Sequence, residues 1–340
     1  MSVTIRDIAR ASGYAPSTVS QALSNTGSLK RKTREHIREV ARKLGYYDPV
    51  EAIGTHVDVR GKSFFIVMPG SAPVPPVQEH EKVYAETFPG RVLKGIRDAL
   101  ESVRAVPILM SGNQFISSGD NERVATIVVG GNVDAELTQA LRQSEPPVVV
   151  VGSHVPANDI AAVEVDFVSA IRDVVRHLVE LGHRRIALLN GPPTTLTSDQ
   201  KLTGFVRAAF DHGLDAGMIA AVENSQEAAK EKALALLTSA WREATAIVCA
   251  YETLAIGVLH AAYELGISIP GDLSVTACHD DGPSMMAIPP LTTAALPSER
   301  MGRLAVSLAL SVGSNRDLDG VRLVVAPDLV VRSSTGPPGK

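Results

Sequence analysis

Twenty residues near the start of the chain, TIRDIARASGYAPSTVSQAL (4–23), constrain the fold more tightly than any other stretch. Ile5, Ile8 and Ala9 recur at the spacing of one helix face, so a first helix can bury them as a stripe. Thr4 is placed to cap that helix, and Asp7 three residues on favours its positive end. Gly13 permits a sharp turn, and Pro16 opens a second helix where its missing N–H costs nothing. In the second helix Val19, Ala22 and Leu23 point inward. Pro16, Ser17, Thr18, Ser20 and Gln21 are left on the outer face. Short polar side chains at the front of the second of two abruptly joined helices are what reading a DNA major groove requires.

Charge supports this division of labour. The 340 residues carry a net charge of -4, which alone would not suggest a nucleic-acid partner. Residues 1–47, however, hold nine Arg and Lys against three Asp and Glu, or +6, so the remainder carries -10. A basic head on an acidic body fits a protein that touches DNA with one end only. The two cysteines, Cys249 and Cys278, fall inside apolar runs that read as buried strands. No His or Cys partner sits at ligand spacing, so neither a disulfide framework nor a metal site is expected, and no cofactor. The opening is a capped, charged helix rather than an export signal, and no apolar run approaches the roughly 20 residues that span a bilayer. A cytoplasmic protein without a membrane partner is expected.

Beyond Gly45 the helical pattern gives way to a linker, YYDPVEAIGTHVDVRGK, punctuated by Pro49, Gly54 and Gly61. From Ser63 strands and helices alternate. FFIVMP, AVPILM, VATIVVGG and PVVVVGS read as buried parallel strands, with RVLKGIRDALESV a helix between the first two. The helix FVSAIRDVVRHLVELG leads into a second round: RIALLNGP, KLTGFVRAAFDHG, EAAKEKALALLTSAW, TAIVCAY, ETLAIGVLHAAYELG and DLSVTACHD. Two successive open α/β units imply two doubly wound lobes. A ligand is then expected beyond the carboxyl ends of the strands, in the cleft between lobes.

At these residues the chain resembles the LacI/GalR family of bacterial transcription regulators. TIRDIA is similar to the family's opening motif, STVSQAL to its recognition helix and TREHIREVARKLGY to its third helix. LGHRRIALLNGPP, GISIPGDLSVTACHDD, PPLTT and LVVRSST are similar to segments of its sensor. The resemblance implies a small all-α helix-turn-helix headpiece (1–47), a hinge (48–62), and a periplasmic-binding-protein-like, type I body of two doubly wound α/β lobes (63–335). A tail (336–340) follows. One departure concerns the crossover from AVPILM to VATIVV, where only about a dozen residues remain, near the lower limit for such a connection. The helix carried there by the family must be shortened or lost.

Carried over residue by residue, the resemblance puts base reading on Pro16, Ser17 and Gln21. Gln21 stands where Arg is usual. Gln pairs more naturally with adenine and Arg with guanine, each contact being worth roughly 1–3 kcal/mol of discrimination. Thr4, Thr18, Ser20, Ser24, Ser28, Lys30, Thr33 and Tyr46 match positions at or beside phosphates. Ala15 replaces the usual polar cap of the recognition helix. In the hinge, the family wedges a Leu into the minor groove. Here Thr55 or His56 takes that position, Ile53 is the nearest aliphatic of wedge size, and Gly54 weakens a helix by roughly 1 kcal/mol.

In the body, the resemblance assigns Phe88, Asp166, Asp199, Tyr251, Glu252, His279 and Asp280 to the effector. Asp199 stands where Arg is common, Tyr251-Glu252 replaces an Asn-Asp pair, and His279 replaces an Asp. The segment GSAPVPPVQEHEKVYAETF, with His80 and Tyr84, is expected over the cleft mouth. Four acidic groups converging on one cleft would favour a sugar, another polyhydroxylated compound or a cation, and oppose phosphate or carboxylate. The expected protein is a homodimeric, ligand-responsive regulator, in this family most often a repressor, bound to a pseudopalindromic duplex operator. A solute-binding protein feeding a transporter is the alternative from another class; it would need an export signal and no headpiece. An enzyme is not expected, since no motif places nucleophile, base and orienting group together.

Overall fold

A computed structural model describes residues 5–23, 29–43, 58–70, 87–118, 122–130, 133–145, 147–152, 159–280, 282–314 and 318–339. Three helices open the chain: α1 (Ile5–Ser12), α2 (Pro16–Leu23) and α3 (Arg31–Lys43). Ile8, Ala9, Val19, Ala22, Ile37 and Ala41 form one buried cluster, with Leu23 and Leu29 at its margin. Gly13 has φ +74°, in the left-handed region that favours glycine, and its N–H reaches Ala9 O at 3.0 Å. Ile5 departs from the expected stripe and is 38% exposed, lying one turn ahead of the residues that meet the core. The third helix begins two residues before Thr33, because Lys30 O accepts the N–H groups of both Thr33 and Arg34.

The body continues with β1 (Ser63–Met68), α4 (Phe88–Ser102), β2 (Val106–Ser111), α5 (Gly112–Ser117), β3 (Ala125–Val129), α6 (Ala135–Arg142), β4 (Val148–Val151) and β5 (Ala161–Val165). Then follow α7 (Phe167–Glu180), β6 (Ile186–Asn190), α8 (Leu196–His212), β7 (Ile219–Ala221), α9 (Gln226–Leu237), β8 (Ala246–Cys249), α10 (Glu252–Glu264), β9 (Ser274–Cys278), α11 (Gly282–Met286), β10 (Thr292–Ala295), α12 (Ser298–Ser314), β11 (Arg322–Val325) and β12 (Asp328–Val330). They build two six-stranded sheets, ordered β11-β5-β4-β3-β1-β2 and β12-β10-β9-β8-β6-β7. Runs such as Val148–Val151 are buried at every residue, as a parallel strand covered on both faces must be. In the second sheet β6, β8 and β9 pair in parallel, while β12 runs antiparallel to β10.

The doubtful crossover keeps a helix cut to six residues. A reciprocal cap makes so short a helix hold: Gln114 N–H donates to Ser111 Oγ at 3.3 Å, and Ser111 N–H donates to Gln114 Oε1 at 2.7 Å. Strands β5, β7, β10, β11 and β12 and helices α6, α11 and α12 have no counterpart in the sequence reading. The described residues divide into two compact units. One takes in residues within 1–81, 92–163 and 299–322, the other those within 82–91, 164–298 and 323–340.

The second unit is sewn shut by its C-terminal segment. Ser334 Oγ accepts Thr292 N–H at 2.8 Å, and Val275 N–H donates to Ser334 O at 2.9 Å. His183 Nε2 lies 2.8 Å from Gly336 O and Nδ1 lies 2.9 Å from Thr245 Oγ1, so Nε2–H donates to the carbonyl and Nδ1 accepts the hydroxyl. His177 Nε2 lies 3.0 Å from Thr335 Oγ1. Burial pushes both imidazoles below their ordinary value of 6.5. Each therefore favours the neutral form when folded. Its contribution is complete above pH 6.5 and is lost as the pH falls towards the lowered folded value. The urea midpoint of the protein should accordingly drop between pH 7.5 and pH 5.5, and His183→Gln should narrow that drop. A midpoint unchanged over this range would contradict it.

Candidate DNA-reading and effector sites

On the closed three-helix core, α2 turns Pro16, Ser17, Ser20 and Gln21 outward as exposed side chains, while Thr18 is half-buried. Ser17 and Gln21 are four residues apart and share one face of the helix. Ala15 O accepts the N–H of Val19 at 3.0 Å, but Ala15 has no side-chain oxygen to cap the turn. Lys30 is exposed and Thr33 half-buried at the start of α3. The expected contacts at Thr4, Ser24, Ser28, Tyr46 and Ile53 lie outside the described residues, as do Thr55, His56, His80 and Tyr84.

All seven expected effector residues belong to the second unit. Parallel pairing brings the ends of β6, β8 and β9 to one edge, so Asn190, Tyr251 and His279 leave the sheet side by side. Phe167 opens α7 nearby: its ring centroid is 5.8 Å from that of His279, and the Tyr251 ring is 5.7 Å from His279 on its own account. A Cβ on Gly191 would stand 2.4 Å from Tyr251 Cε2, so only glycine leaves room for that ring. The Tyr251 hydroxyl lies 2.9 Å from Thr197 Oγ1 and 3.4 Å from Ser198 Oγ. Phe88 is half-buried at the start of α4.

Three of the four acidic residues expected at the effector site have hydrogen-bond partners within the protein. Asp166 caps α7, accepting Ser169 N–H at 2.9 Å. Glu252 is buried and its carboxylate accepts the N–H of Ser284. Asp280 forms a two-pronged pair with Arg332, at 2.7 Å and 2.8 Å, and accepts the Thr293 hydroxyl at 2.9 Å. Asp199 is exposed on the first turn of α8. The inward stripe of that helix is Ser198, Lys201, Phe205 and Ala208, and Asp199 falls outside it.

Lys201 was missed by sequence reasoning, although its place in that stripe is a legible signal. It is fully buried, and Nζ donates to Ala250 O at 2.7 Å. Nζ also lies 3.5 Å from the centre of the Tyr251 ring, 4.5 Å from that of Phe167 and 3.4 Å from His279 Nε2. An ammonium can only donate, so His279 accepts through Nε2 and carries its proton on Nδ1. Burial pushes Lys201 below its ordinary value, against the pull of Cys278 and Tyr251. His279 is held well below the usual histidine range by burial and by the Lys201 charge. Burial works to raise the Tyr251 phenol, but Lys201 and the hydroxyls of Ser198, Thr197 and Thr195 together hold it below its ordinary value. Among the described residues, no group of three or more His, Cys, Asp or Glu side chains is arranged to hold a metal, and no helix is long and apolar enough to cross a membrane.

Comparison with known proteins agrees with both halves. Residues 4–48 match the family described as bacterial regulatory proteins, lacI family, and residues 175–335 match the periplasmic binding protein-like domain. The HTH-type transcriptional regulator DegA of Bacillus subtilis (strain 168) is 26% identical over 350 residues, covering 99% of each chain. The chain thus combines a lacI-family helix-turn-helix domain with a periplasmic binding protein-like domain, and the relatives it matches are LacI-family regulators. Among solved structures, a complex of the transcriptional regulator CelR with cellobiose is similar with a TM-score of 0.68, 22% identity and coverage of 98% of this chain and 99% of that one. A lac repressor dimer bound to operator and the anti-inducer ONPF gives a TM-score of 0.67 at 19% identity, covering 99% and 100%. At these identities the two structures speak for the fold. Like its LacI-family relatives, the protein is a DNA-binding transcriptional regulator with an effector-binding domain.

The Asp280–Arg332 pair can be tested directly. Both side chains are mostly buried, at 14% and 16% exposure. Removing one partner of a largely buried pair leaves the other unpaired, at a cost of about 3–5 kcal/mol. Arg332→Ala should therefore destabilise the protein to urea by an amount near the lower end of that range. Asp199→Ala should change the midpoint little. Equal effects of the two substitutions would mean that Asp280 is not locked by Arg332.

Proposed function

We propose that this protein is a LacI-family transcriptional repressor that acts as a homodimer on a pseudopalindromic operator in the cytoplasm. The observation that carries the reading is the exposed Ser17–Gln21 face of α2 over a closed helical core. One such face reads half a site, and a two-fold pair reads a palindrome. A lac repressor structure of the same fold is a dimer bound to its operator, which supports the assembly.

Operator affinity is modulated by a small polyhydroxylated molecule held at the carboxyl ends of the second sheet. The half-buried hydroxyls of Thr197 and Tyr251 supply donors and acceptors suited to it. The cellobiose complex of a protein with this fold supports the class.

Selection of operators from a random duplex library should return a palindrome, and Gln21→Arg should change its preferred base at one position in each half-site, by roughly 1–3 kcal/mol of discrimination. An unchanged consensus would show that Gln21 reads no base. Operator affinity should also fall linearly with salt on a double-logarithmic plot, as release of counterions from phosphates requires. Failure to select any sequence would overturn the operator reading itself.

A further inference from the structure

The surroundings of the Lys201 ammonium are those of a receptor for an ammonium ligand. One carbonyl, Ala250 O, accepts it at 2.7 Å. The Tyr251 and Phe167 rings flank it at 3.5 Å and 4.5 Å. The neutral imidazole of His279 offers a further lone pair at 3.4 Å. Aromatic faces attract cations through their quadrupole, more strongly where water is excluded. Among the described residues no carboxylate comes within ion-pair distance of Nζ, so the cage works by rings and lone pairs rather than by opposite charge. The backbone is bent to build it: His279 has φ +80°, a conformation rare outside glycine and concentrated at functional sites.

We propose that this cage is an alkylammonium-binding site which the chain fills with its own Lys201. The lysine is a tethered ligand, and because tethering gives it a high effective concentration, a free amine does not displace it. The inference rests on placing the effector pocket at this edge of the second unit. It narrows the class: the free effector meets the hydroxyls of Thr197 and Tyr251, while the cationic position is already occupied.

Truncation of Lys201 to Ala removes three carbons and the nitrogen, the heavy atoms of n-propylammonium. Calorimetry on the full chain should show n-propylammonium binding Lys201→Ala about tenfold or more tightly than it binds the parent, and raising its unfolding temperature. n-Propanol, of the same size without charge, should do neither. Equal binding by parent and variant, or equal rescue by propanol, would overturn the cage. If Lys201→Ala does not fold, the parent decides the matter. The Lys201 ε-methylene protons should resonate well upfield of those of exposed lysines, and unshifted protons would overturn the proposal. Operator binding by the same samples separates the two readings, because an intact headpiece with no amine site counts against the cage alone.

Discussion

Parallel pairing of β6, β8 and β9 is the constraint on which the rest of the second unit depends. Strands that run the same way deliver their carboxyl ends to one edge, and each hands its last residues to the loop before a helix. Asn190, Tyr251 and His279 are far apart in the chain but neighbours at that edge. Ala250 shows how the ladder feeds the site. Its N–H still bonds Leu189 O at 2.9 Å, while its carbonyl has left the sheet and accepts Lys201. Without the strand register there would be no acceptor for a fully buried ammonium.

Charge accounting then explains the side chains around it. A buried charge survives only with partners, and the carboxylates of this region each have their own. Asp166 holds a helix start, Glu252 holds the N–H of Ser284, and Asp280 holds Arg332. Lys201 is left to carbonyl, rings and imidazole. That arrangement fits a neutral His279, which burial and then the Lys201 charge both favour. The two groups are thus coupled: protonating His279 would put a second cation 3.4 Å from the fully buried Lys201 ammonium.

Much of the fold was legible because buried parallel strands are written as uninterrupted apolar runs. Val148–Val151 and Ala246–Cys249 could hardly be anything else. β5 was missed because AAVEV carries a glutamate and two alanines, too little apolar bulk to stand out. The headpiece was legible from Gly13, Pro16 and the inward stripe, with Ile5 the exception. For the expected effector residues, the resemblance maps Asp166, Glu252 and Asp280 to one cleft; it does not show that Ser169, Ser284 and Arg332 are their partners. Asp199 drew attention as an unusual charge, whereas the stripe Ser198, Lys201, Phe205, Ala208 places Lys201 inside and Asp199 outside.

The energetic scale of this cluster bears on how a body of this kind speaks to its headpiece. A ligand shifts a conformational equilibrium only by its difference in affinity for the two states, and coupling of about 1–3 kcal/mol is typical. A surface site rarely offers so much, since exposed hydroxyls exchange protein for water at little net gain. Around Lys201 the terms are larger. A desolvated cation over an aromatic face is worth about 2 kcal/mol, and a residue held in a sparse backbone region stores about 1–3 kcal/mol. Tyr251 belongs to both parts, its ring beside the ammonium and its hydroxyl on the rim with Thr197. A neutral ligand that draws that hydroxyl need not touch Lys201 to move the ring. Small displacements at the rim are thereby weighted by the energy of the buried charge beneath it.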